Sequence, residues 1–164
     1  MKINKKTRLF FDSSVLIAGI LSPKGGSDLI IKACLVGGFM PLASQAVFIE
    51  VERNLTENFS KETTGHFNYL IAAIAWTIVP IPSEKLIYHY SKIINEKDAH
   101  VLAAAIAGES DFLLTLDRKH FMAPSLKMAN LSCIILTPGD FIKRYYPLHE
   151  NFSKIPPPDN SSYH

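Results

Sequence analysis

The sequence predicts an α/β domain, a three-layer, doubly wound fold on a mainly parallel sheet of about five strands. Three observations lead there. Short apolar runs alternate with segments whose apolar residues recur at helical spacing, the runs are continuous rather than alternating in polarity, and Gly, Pro or Ser breaks separate the two kinds. Strands that are apolar on both faces belong in a sheet covered on both sides, as parallel sheets crossed by helices are.

The first strand is Arg8 to Phe11, ending on Asp12. Ser13 or Ser14 can cap a helix from Val15 to Leu21, which Ser22-Pro23-Lys24-Gly25-Gly26 breaks. A helix from Ser27 turns Leu29, Ile30, Ala33 and Leu35 inward and stops at Gly37-Gly38. Phe39 to Ala43 is the second strand, and Ser44 caps a helix with the apolar stripe Val47, Phe48, Val51 and Leu55. A further helix covers about Glu62 to Ala75, and the third strand, Thr77 to Ile81, ends at Pro82. Ser83 begins a helix reaching about Ile94, and Asn95 caps another over Glu96 to Ala107, with Ala99, Leu102, Ala103 and Ile106 at helical spacing. The fourth strand, Phe112 to Leu116, ends on Asp117, and the fifth is Leu131 to Leu136. Thr137-Pro138 places a cap and a first-turn proline ahead of a helix to about Tyr145.

At 164 residues, 48% of them apolar, the chain suits one domain with a core that needs no disulfide or structural metal. We expect that domain over residues 1–150, followed by a proline-rich, unfolded tail over 151–164. Cys34 and Cys133 lie in apolar runs without metal-ligand spacing and read as reduced core thiols of a cytoplasmic protein. Lys5, Lys6 and Arg8 before an apolar stretch resemble a signal sequence, but Asp12-Ser13-Ser14 interrupts it and no small-residue cleavage site follows. No run reaches membrane-spanning length, so no membrane association is expected. The net charge of +2 is too small for a protein that grips duplex DNA by lysine and arginine alone. If nucleic acid is the partner, metal ions must supply much of the positive charge.

Ligands of doubly wound sheets bind beyond the carboxyl ends of the strands, where strand order reverses. Asp12 and Asp117 each follow an apolar strand directly and so belong at that edge. Asp98 falls in the first turn of its helix, where the macrodipole favours a carboxylate. Three such acids converging on one edge repel one another unless a cation offsets them. Asp111 precedes the strand that Asp117 follows; five strand residues, roughly 17 Å at about 3.3 Å each, put it at the opposite edge as a structural residue. Glu50 and Glu52 share a helix but point about 200° apart, so only one can face the site, and periodicity does not choose between them.

The order strand-Asp12-Ser13-Ser14-Val15-Leu16, then Ser44 with Glu50 and Leu55, then Lys97-Asp98-Ala99-His100-Val101-Leu102-Ala103-Ala104-Ala105, then Asp111-Phe112-Leu113-Leu114-Thr115-Leu116-Asp117 resembles the PIN-domain family. Thr137-Pro138-Gly139-Asp140-Phe141 is similar to the end of such domains. The likeness spans about residues 8–145, and its most specific part is Asp98 to Asp117. It implies a PIN-like fold and a ribonuclease whose catalytic, metal-binding acids are Asp12, Glu50, Asp98 and Asp117, so it selects Glu50 over Glu52. It also implies supporting hydrogen bonds from Ser13 and Thr115, and RNA products with 5′ phosphate and 3′ hydroxyl ends. A long middle region, about Glu57 to Ser83, departs from the pattern without removing an acid.

An oxygen-only ligand set favours Mg²⁺ or Mn²⁺ over zinc. Lys24, Arg118 and Lys119 lie in or beside loops at the same edge and are candidate contacts for flanking phosphates. His120 follows Asp117 closely, but a lone histidine in a turn is expected to be structural. Small single-domain members of the family resemble the toxin halves of toxin–antitoxin pairs, so the expected partners are RNA, a cognate antitoxin protein and a second copy of the chain. The alternatives are a catalytically silent PIN-like module that binds RNA or protein, and a haloacid-dehalogenase-type phosphatase. The phosphatase expects an acid two residues after Asp12, where Ser14 stands, and a late Gly-Asp-x-x-x-Asp segment that is absent.

Overall fold

The structure, a computed structural model, describes residues 1–159. Five strands form one sheet: β1 (Arg8–Phe11), β2 (Met40–Ser44), β3 (Thr77–Val79), β4 (Phe112–Leu114) and β5 (Ile134–Leu136). Their order is β3-β2-β1-β4-β5, and every pairing is parallel. The chain moves outward from β1 to β3 on one side and continues from β4 to β5 on the other. Strand order therefore reverses between β1 and β4, and the crevice beyond their carboxyl ends is where a ligand site is expected.

Between strands run α1 (Ser13–Leu21), α2 (Gly26–Leu35), α3 (Gln45–Asn58), α4 (Lys61–Ala73), α5 (Glu84–Ser91) and α6 (Glu96–Ala107). After β4 come two single-turn helices, α7 (Arg118–Phe121) and α8 (Pro124–Lys127), and after β5 comes α9 (Pro138–Arg144). The capping chemistry read from sequence operates in several of them. Ser44, Ser83, Asn95 and Thr137 each accept the backbone N–H three residues on, satisfying one of the orphan donors of a helix start. Helix α1 packs on α2, α3 and α4, α3 on α4, and α9 on α2, while α5 pairs with α6, which lies against β2, β3 and β4. This is the three-layer arrangement expected.

The strands are shorter than their apolar runs. The run Leu131 to Leu136 contributes only Ile134–Leu136, and Phe112 to Leu116 only Phe112–Leu114. Thr115 still donates its N–H to Leu136 O at 3.1 Å, but the backbone then leaves the ladder. From there the Thr115 side chain reaches Asp12, just beyond β1. Residues 118–127, for which no element is evident in the sequence, form α7 and α8.

Leu9, Phe10 and Phe11 are fully buried at the centre of the sheet. Phe11 meets Trp76 edge-on, and Phe141 meets Phe39 and Phe112 in the same manner, so aromatic pairs bridge sheet and helices. Cys34 and Cys133 are free and buried, and burial raises both thiols, Cys133 to about 11.

The unfolded tail expected over 151–164 is corrected for its first part. Residues Phe152–Lys154 form a 3₁₀ turn and Ile155 is buried, so close to Gly38 that an added Cβ there would lie 2.6 Å from it. The buried His149 ring bonds Gly38 O at 2.7 Å, Glu150 N–H donates to Ile3 O, and Tyr146 Oη donates to Pro156 O. The apolar anchor Ile155 and these bonds outweigh the local proline content. Residues 160–164 lie outside the described residues. Among the described residues no single helix is long and apolar enough to cross a membrane; α1 and α2 together have the composition but meet at a bend of 95°.

Candidate active site

A cavity of about 510 Å³ opens beyond the carboxyl ends of β1 and β4, and Asp12, Glu50, Asp98 and Asp117 all line it. Each arrives from a different element. Asp12 is the residue after β1 and the N-cap of α1, Glu50 sits midway along α3, Asp98 is in the first turn of α6, and Asp117 caps α7. Glu52 is exposed and is not among the lining residues. Of the two glutamates of α3, Glu50 is the one that lines the cavity with the other three acids.

Asp12 is the most deeply placed, at 7% exposure. Its Oδ1 accepts the Ser13 N–H at 2.8 Å, and its Oδ2 accepts the hydroxyls of Thr115 at 2.7 Å and Ser14 at 3.2 Å. Desolvation by burial pushes its carboxyl above the ordinary range; the bonds from Thr115, Ser13 and Ser14 oppose this, and the charge of Glu50 adds to it. A buried carboxylate that resists ionisation while a second acid repels it favours a nearby cation. Three of its roughly four acceptor positions are filled by protein donors, which leaves Oδ1 one to offer.

Ser13, a supporting residue by resemblance, bonds Asp12 through its backbone N–H, and the hydroxyl that reaches Asp12 from α1 is that of Ser14. Ser14 Oγ bonds Asp12 and accepts the Leu116 N–H at 3.1 Å, whereas Ser13 contributes its backbone N–H. Thr115, fully buried, has a comparable double task. It donates to Asp12 and accepts the Asp117 N–H at 3.1 Å, so one hydroxyl fixes two of the acids.

Asp98 and Asn95 hold each other at the start of α6. The Asp98 N–H donates to Asn95 Oδ1 at 3.0 Å, and the Asn95 amide donates to Asp98 Oδ2 at 2.6 Å. The helix-start role and the site role therefore coexist in one residue. Lys97 reaches Glu50 Oε1 at 3.4 Å from the next position on α6, a partly exposed pair at the rim.

His120 is the residue that sequence reasoning set aside. Asp117 Oδ1 accepts the His120 N–H at 3.1 Å, and the turn this creates folds the ring back so that Nδ1 lies 2.8 Å from Asp117 Oδ2. The same Nδ1 is 3.6 Å from Asp98 Oδ2. Burial raises the Asp117 carboxyl, but the bonds and charge of His120, aided by the charge of Lys119, outweigh it and leave the group below its ordinary value. The available signal was the spacing of Asp117 and His120, three apart, which is that of an N-cap acid and the residue folding back onto it.

Asp111 lies at the amino-terminal edge, where its carboxylate accepts the Arg8 N–H at 2.8 Å as β1 begins. Among the basic residues, Lys119 is close enough to act on Asp117 by its charge. Arg118 instead lines a separate hollow with Ser22, Gly25 and Lys143, its guanidinium 4.0 Å from Asp140. Lys24 lies in the turn before α2 with φ +76°, outside the lining of the acidic cavity.

Among the described residues, Asp98, Asp117 and His120 offer ligand atoms that all lie within 4.8 Å of one another. The donor set, four carboxylates and an imidazole at one opening, fits a divalent cation.

A profile of the PIN domain matches residues 8–119. Solved structures match in fold, among them VapBC2 from Rickettsia felis bound to a DNA fragment from their promoter. It is 15% identical with a TM-score of 0.57, and the match covers 80% of this chain and 98% of that one. FitAcB from Neisseria gonorrhoeae is also 15% identical, with a TM-score of 0.55 and 79% and 97% of the two chains covered. No curated protein gives a significant match in sequence.

Proposed function

Because the chain belongs to the PIN-domain family, we propose that it is a divalent-metal-dependent endoribonuclease acting as the toxin of a toxin–antitoxin pair. PIN domains are generally nucleases that use divalent metals. The observation that carries the reading is the convergence of Asp12, Glu50, Asp98 and Asp117 on one cavity at the point where strand order reverses.

In this reading those four acids hold Mg²⁺ or Mn²⁺, which supplies an activated water and stabilises charge developing on the scissile phosphate. The chain's own work is to aim the carboxylates. Thr115 and Ser14 fix the plane of Asp12, Thr115 fixes the backbone of Asp117, and Asn95 fixes Asp98. Lys119, with Arg118 and Lys24 further out, attracts flanking phosphates of the RNA. The partner antitoxin and a homodimer belong to the same proposal. The likeness in fold to VapBC2 supports the toxin role, and a cytoplasmic location accords with an RNA substrate.

Incubating total RNA with the purified chain tests the enzyme. Cleavage with Mg²⁺ or Mn²⁺ that chelator abolishes and Asp98→Asn loses, leaving 5′ phosphate ends, is the expected result. Folded protein that binds metal and cuts no RNA would favour a silent binding module instead. Growth arrest on expression, relieved by a small protein from the adjacent reading frame, is expected of a toxin. Harmless expression with no such partner would remove that role and leave the nuclease.

A further inference from the structure

We propose that His120 Nδ1 is a direct ligand of the ion held by Asp98 and Asp117, so that this is a mixed nitrogen–oxygen site preferring later first-row divalent ions over Mg²⁺. The proposal rests on the reading above only in that a divalent ion occupies the acidic cavity.

The placement of the ring follows from local chemistry. Helix α7 is a single turn capped by Asp117, and the Oδ1 bond to the His120 N–H sets the side chain of that residue over the opposite oxygen, Oδ2. Asp98 approaches from the other side on the first turn of α6, held there by Asn95. Nδ1 is 2.8 Å from Asp117 Oδ2 and 3.6 Å from Asp98 Oδ2. All three ligand atoms fall within 4.8 Å of one another.

The two separations from Nδ1, 2.8 and 3.6 Å, fall in the range open to atoms that share one ion. With bonds near 2.1 Å in an octahedral shell, neighbouring ligands are about 3 Å apart and opposite ones about 4.2 Å apart. The His120 side chain is 43% exposed, so the core does not fix it as a spacer. Without an ion, Nδ1–H donates to Asp117; ligation requires Nδ1 to be free of its proton, with Nε2 carrying one. His100 lines the same cavity but is not part of this cluster.

An imidazole in the shell moves preference up the series from Mn²⁺ toward Ni²⁺ and Cu²⁺, whereas carboxylates and water alone suit Mg²⁺ and Mn²⁺. A ring that only orients Asp117 would leave the preference that of an oxygen site.

Pulsed electron paramagnetic resonance of the Mn²⁺-loaded full chain separates the two. Expected is nitrogen modulation in the wild type, its replacement by the ¹⁵N pattern when histidine is ¹⁵N-labelled, its persistence in His100→Asn and its loss in His120→Asn. Calorimetric titration should show the preference for Ni²⁺ over Mg²⁺ falling by about tenfold or more in His120→Asn. If that variant does not fold, the labelled wild type together with His100→Asn still decides the question, because His100 is the other histidine lining the cavity. Mn²⁺ bound without nitrogen coupling would overturn the proposal and leave the nuclease reading standing. Failure of folded protein to bind Mn²⁺ at all would overturn both.

Discussion

Thr115 Oγ1 donates to Asp12 Oδ2 at 2.7 Å, joining residues 103 apart in sequence across the seam where β1 and β4 meet. The same oxygen accepts the Asp117 N–H, so the relative position of two cleft acids depends on one hydroxyl. Thr115→Val keeps the shape and deletes both bonds, leaving a buried carboxylate and an N–H short of a partner. We expect a stability loss of about 1–3 kcal/mol in urea unfolding and a fall in cleavage of about 10–100-fold. Thr115→Ser should recover most of both; a Val variant as active and stable as wild type would show that the hydroxyl is dispensable.

Burial raises the Asp12 carboxyl above its unfolded value. An acid whose pKa is higher in the folded state stabilises the fold below its unfolded pKa, and that contribution is lost as pH rises through the folded value. At neutral pH, without metal, ionised Asp12 is therefore a cost. Asp12→Asn should melt higher than wild type in chelator at pH 7, with the advantage shrinking toward pH 4, and should lose the stabilisation that added Mn²⁺ gives wild type. Equal melting of the two proteins at every pH would contradict this account.

Glu50 and Glu52 separate cleanly by experiment because one lines the cavity and the other is exposed. Glu50→Gln should leave less than roughly a hundredth of wild-type cleavage, a larger loss than for a residue acting behind the ligands. Glu52→Gln should cleave within about twofold of wild type, since surface changes of this kind rarely exceed about 0.5 kcal/mol. The reverse outcome would move the site to the other side of α3.

Asp111 offers the complementary test at the far edge of the sheet. Asp111→Ala strips the Arg8 N–H of its partner, and unfolding should become easier by about 1–2 kcal/mol. Cleavage per folded molecule should be unchanged. A selective loss of activity in the fully folded variant would place Asp111 in the chemistry after all.

How far the sequence carries the site depends on which contacts are local. Asp12 and Asp117 follow from apolar runs that end on an acid, and the parallel order of five strands gives those ends a common edge. Glu50 did not follow, because both glutamates flank the stripe of Val47, Val51 and Leu55, and only packing against a particular neighbour settles the rotation of a helix. Ser14, which joins Ser13 in holding Asp12, was not singled out for a related reason. Which hydroxyl of two adjacent residues turns toward Asp12 depends on Leu116, whose N–H it must also meet. His120 went unassigned because no periodicity announces a four-residue helix, and Ile155 because a single apolar residue among prolines carries little weight without its partner at Gly38.

The clamp formed by Ile3, Gly38, His149, Glu150 and Ile155 lies at the amino-terminal edge, away from the carboxylates. It has a temporal meaning. During synthesis β1 leaves the ribosome early, yet its neighbour β4, the Thr115 hydroxyl that sets Asp12 and the segment that fastens Ile3 all arrive more than a hundred residues later. Such long closures are formed late and slowly. The acidic cleft thus waits for residues 112–120, and a product truncated before them would carry Asp12 and Glu50 without the partners that make them a site.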